Sequence, residues 1–106
     1  MAAPTNAAFL TEKRANFVKF CREALMKRKS NARYVKFCAK LSELEALNVD
    51  VFTAAIVETM VPYKDDPAQY IIKTLSEQEI SRDDLTPEEL AKCARYISCF
   101  IDVISS

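Results

Sequence analysis

Apolar residues recur at spacings of three and four along most of this chain, the period of a helix with one buried side. Phe17, Phe20, Cys21, Ala24 and Leu25 fall on one side of a helix predicted over 9–29. Its end carries Lys27, Arg28 and Lys29, cations that suit exposed helix carbonyls. Ser30 and Asn31 then stop that helix and cap a second one over 31–47, in which Tyr34, Phe37, Cys38, Leu41 and Leu44 share a side. Asn48, Val49 and Asp50 form a turn, with Asp50 expected to cap a third helix over 51–61 that Pro62 ends.

Asp66 followed by Pro67 restarts the chain as a capping residue and a first-turn proline. A short fourth helix runs through Ala68, Tyr70, Ile71, Ile72 and Leu75. Residues 77–85 make a polar connection with one helical turn around Ile80. The sharpest local signal is Thr86-Pro87-Glu88-Glu89, a capping box that opens the last helix. Leu90, Ala94, Ile97, Ile101 and Ile104 follow on one side, and Cys93, Tyr96, Phe100 and Val103 fill the flank. A helix apolar on more than one side is central to a core or buried against a second copy of the chain. Strand-like alternation is absent, so the expected fold is all-α, a small antiparallel bundle of four to five helices. Residues 1–8 are expected as a flexible tail and 9–106 as a single domain.

Composition removes whole classes of chemistry. None of the 106 residues is glycine, histidine or tryptophan. Phosphate-cradling loops and dinucleotide fingerprints need glycine backbone, and the common hydrolytic pairs need histidine. The tight acidic pairs Asp65-Asp66, Asp83-Asp84 and Glu88-Glu89 all stand at turns or helix starts, where carboxylates suit the helix dipole. Cys21, Cys38, Cys93 and Cys99 lack metal-site spacing and read as small buried side chains. The expectation is a protein that is not an enzyme and that holds no metal or cofactor. The opening residues lack a secretory pattern, and the apolar run 96–104 is too short for a membrane span, so a soluble intracellular protein is expected.

Lysine plus arginine equal aspartate plus glutamate at 15 each, but the balance is uneven. Residues 1–40 hold ten basic and two acidic side chains; the remainder holds five and thirteen. Arg33, Lys36 and Lys40 repeat along one face of the second helix, while Lys19, Arg22 and Lys29 gather on the first. Pairing of these helices would merge the stripes into one basic surface with Lys27, Arg28 and Lys29 at the bend. Such a surface suits nucleic-acid phosphates. The similar words Ala15-Asn16-Phe17-Val18-Lys19-Phe20-Cys21 and Ala32-Arg33-Tyr34-Val35-Lys36-Phe37-Cys38 read as two amphipathic helices of similar role.

Two resemblances bear on function. Leu41-Ser42-Glu43-Leu44-Glu45-Ala46-Leu47-Asn48-Val49, with Ile56, Val61 and Ile71-Ile72, resembles the leucine pattern of the TFIIS N-terminal helical domain, though the aromatic ending usual there is missing. That likeness implies docking of short disordered segments. The size and basic paired helices are similar to nodaviral helical suppressors of RNA silencing, which implies a dimer on double-stranded RNA. The expected function is a small binding protein that contacts nucleic acid, RNA included, as a homodimer. The alternative is a protein-interaction adaptor or inhibitor that offers Tyr96, Phe100 and Val103 to a protein partner.

Overall fold

The periodic segments become five α-helices: α1 (Ala3–Met26), α2 (Ala32–Ala46), α3 (Val49–Ala55), α4 (Pro67–Glu77) and α5 (Pro87–Ser105). They are seen in a computed structural model that describes residues 3–26 and 32–105. No strand occurs among the described residues, and the protein is an all-α bundle.

Helix α1 starts at Ala3 rather than at position 9, so most of the expected tail is helical. Pro4 lies in the first turn, where its missing N–H has no helical partner to lose, and alanines beside it favour the helix. The expected end of this helix at 27–29, and the Ser30-Asn31 break, lie outside the described residues.

Asn48, not Asp50, caps α3: its side-chain oxygen accepts the Val51 N–H at 2.9 Å. Asp50 sits in the first turn instead, where its charge faces the helix dipole. The expected straight run to Pro62 is also altered. Beyond Ala55 the chain widens into one π-helical turn, Ile56–Met60, and then tightens into a 3-10 turn, Val61–Tyr63. Pro62 has no N–H to give the Glu58 carbonyl, and its ring would crowd that oxygen. The wider turn relieves this, with the Val61 N–H reaching back five residues to the Ile56 carbonyl.

Asp66 occupies the N-cap of α4, but its side chain makes no capping bond; the Gln69 N–H goes to the Asp66 backbone oxygen at 3.0 Å. The 77–85 connection carries its helical turn at Arg82–Asp84, not around Ile80. Ile80 is buried as the apolar closure of α4. Its N–H bonds the Leu75 carbonyl at 2.9 Å while the Glu79 N–H bonds that of Ser76 at 2.9 Å. This is a Schellman ending, and Glu79 takes the left-handed backbone it requires, with φ 58°. The capping box of α5 forms in full: the Glu89 N–H donates to Thr86 Oγ1 at 3.1 Å, and the Thr86 N–H to Glu89 Oε1 at 2.9 Å.

Helix α5 is the central element, packed on α1, α4 and the π turn. Phe100 meets Phe17 and Phe52 edge-on, with centroids 5.8 and 5.3 Å apart. Tyr96 lies against Phe17 and Phe20, and Cys93 Sγ is 3.8 Å from Cys21 Sγ. Early α1 residues thus meet late α5 residues, which fixes the pair as antiparallel.

Candidate functional site

Lys19, Lys36 and Lys40 are exposed, and none is ion-paired with a carboxylate among the described residues. Arg22 is partly buried, and its Nη2 donates to the Ser42 hydroxyl, which ties α1 to α2. The Arg33 side chain and residues 27–29 lie outside what is described. Of the described cations, Arg22 and Lys40 do not share one surface. Ser42 faces α1, and Lys40, two positions earlier, points about 160° away around the helix axis. Lys40 lines a cavity facing Thr74 and Glu77 of α4 instead. Lys40 therefore turns from Arg22.

One cation counted in the basic segment has left the surface. Arg14 is only 5% exposed, and its Nη1 donates to the carbonyls of Leu47 at 2.7 Å and Leu44 at 3.3 Å. Its guanidinium also lies 4.7 Å from the centre of the Phe52 ring. Burial lowers the Arg14 pKa from its usual value, against the pull of the Glu45 charge. Arg14 is thus a structural cap for the carbonyl end of α2.

The structure also assembles a cationic site that counting charges by segment hides. Lys13 of α1 and Lys92 and Arg95 of α5 line one depression with Tyr96 and Cys99. Lys13 stands 5.3 Å from the centre of the Phe9 ring, and Lys92 stands 4.5 Å from that of Phe20. Those rings hold the two ammonium groups near the surface by cation–π attraction. No carboxylate among the described residues forms an ion pair with any of the three. Lys92 and Arg95 belong to the acidic part of the sequence, which is why the segment sum overlooked them. The available signal was their three-residue spacing on the side of α5 away from Cys93, Ile97 and Phe100.

The flank expected to receive a partner is committed elsewhere. Phe100 is 0% exposed, and Tyr96 and Val103 are partly buried against the same core. The apolar excess of α5 arises because α1 covers one side of it and α4 another. Of the three residues expected to meet a protein partner, Phe100 is a core residue.

Cys21 and Cys93 are buried free thiols, and Cys38 and Cys99 are partly buried free thiols. The hydrogen bond between Cys21 and Cys93, then burial, pushes the Cys21 thiol well above its ordinary pKa. A thiolate is therefore disfavoured at that position. Among the described residues no three potential ligands are grouped to hold a metal ion, and no helix is long and apolar enough to cross a membrane. No protein-family model, curated protein or solved structure matches this chain.

Proposed function

We propose that this protein is a non-enzymatic helical binding protein that contacts nucleic-acid phosphates, with the α1–α5 face as its primary contact. The observation that carries the reading is the convergence of Lys13, Lys92 and Arg95 on one depression without carboxylate partners among the described residues. All three stand on packed helices, and two are held by aromatic rings, so little side-chain freedom is lost on binding. Exposed Lys19, Lys36 and Lys40 add diffuse positive potential. Contacts of this kind set position and affinity but read no base sequence.

Three neutralised phosphates on a duplex would weaken binding roughly 40-fold between about 50 mM and about 200 mM salt. Gel-shift assays with single- and double-stranded DNA and RNA at those two concentrations test this. Reversal of Lys13, Lys92 and Arg95 to glutamate is expected to abolish the shift with helicity unchanged. Reversal of Arg33, Lys36 and Lys40 is expected to weaken it less. Absence of any shift at low salt, or full binding by the first triple variant, overturns the proposal.

A further inference from the structure

A second site lies away from the cationic depression. Helix α2 packs chiefly on α1, and α4 packs chiefly on α5, so α2 and α4 diverge and leave a wedge between them. The wedge is a cavity of about 270 Å³. Its walls are predominantly apolar, with Leu25, Phe37, Leu41 and Leu75 among them, and Cys21 and Cys93 also line it. Among the described residues, Lys40 and Glu77 are the charged side chains that line it. Their charges are not equivalent. Glu77 is already bridged by Lys73 at 3.6 Å, whereas Lys40 is ion-paired with no carboxylate among the described residues.

We propose that this cavity binds a medium-chain fatty carboxylate, with the acyl chain between α2 and α4 and the carboxylate at Lys40. An apolar lining gains dispersion contacts and sheds water when a hydrocarbon enters it. A carboxylate completes the unmatched cation at the rim, where a second ammonium would be repelled. Since an apolar cavity of about 150 Å³ accommodates one benzene, about 270 Å³ takes a chain of roughly ten carbons. The site is independent of the nucleic-acid reading, because Lys13, Lys92 and Arg95 are absent from its lining.

The test is calorimetric titration of the full chain with decanoate, decan-1-ol and decylamine, each below its micellar concentration. Saturable one-to-one binding is expected, tightest for decanoate and weakest for decylamine. Lys40→Glu is expected to lower decanoate affinity about fivefold and leave decan-1-ol nearly unchanged, the scale of one exposed ion pair. Lys36→Glu, on the same helix but outside the lining, keeps decanoate binding. Leu44→Trp, which would fill the cavity from its partly buried wall, is expected to weaken all three ligands. The Lys13, Lys92 and Arg95 triple variant is expected to bind decanoate normally, which separates failure here from failure of the phosphate proposal. No saturation by decanoate overturns the inference, as does equal affinity for the three head groups. Preference for N-acetylphenylalaninamide over decanoate would assign the cavity to a peptide side chain and overturn it equally.

Discussion

Two single residues close helices where glycine does so in other chains. With no glycine available, α4 ends on Glu79 in the left-handed region, a conformation that costs a residue with a Cβ about 1–2 kcal/mol. Glu79→Gly is therefore expected to be more stable than Glu79→Ala, which equally lacks the glutamate side chain, by about 1 kcal/mol, read as the difference between their urea midpoints. The end of α2 is closed instead by Arg14. Arg14→Met would leave the Leu44 and Leu47 carbonyls without that donor and is expected to cost about 2–3 kcal/mol by the same measurement. Burial also gives the fold a pH signature. Cys21 and Tyr70 both have pKa values raised in the folded protein, so the folded state holds those protons more tightly than the unfolded chain does. Their contribution is complete below the unfolded thiol value, about pH 8.5, and is lost as pH rises beyond it. Stability should be level from about pH 6 to 8 and decline above about 9, with a shallower decline in Cys21→Ala.

At the scale of elements, a boundary set by its own turn was more legible than one set across the fold. The Thr86 capping box forms as its spacing dictates, because both partners lie within four residues of one another. Thr86→Ala should cost about 1 kcal/mol and raise amide exchange in the first turn of α5. The end of α2 depends on Arg14, thirty positions before Leu44, and no local pattern encodes such a bond. The π turn before Pro62 is an intermediate case. Proline announces that the helix must break, but whether it breaks by stopping or widening depends on what the turn packs against. Here Ile56 and Met60 are buried on α5, and the wide turn keeps both in the core.

At the scale of the molecule, antiparallel packing of α1 on α5 regroups the charges. Lys13 comes from the basic segment and Lys92 and Arg95 from the acidic one, yet they share a depression. A charge sum along the chain is blind to this, since it averages over faces that point in different directions. The same packing buries Phe100 and turns an apparent interface into core. Charge reversal on the α1–α5 face should therefore suppress nucleic-acid retention more than reversal on α2, a ranking that gel-shift titration of the two triple variants decides.

What the sequence determined by itself is the helical class, a bundle of four to five helices, and the starts of α4 and α5. Those follow from the period of the apolar residues and from caps that act within one turn. Only the tertiary structure decided which face of each helix was covered. That choice made Arg14 a cap, withdrew Phe100 from the surface, turned Lys40 from Arg22, and brought Lys92 and Arg95 to Lys13. The reason is physical: a helix's own residues set its amphipathic stripe, but on a helix apolar on two sides the neighbours decide what remains in water.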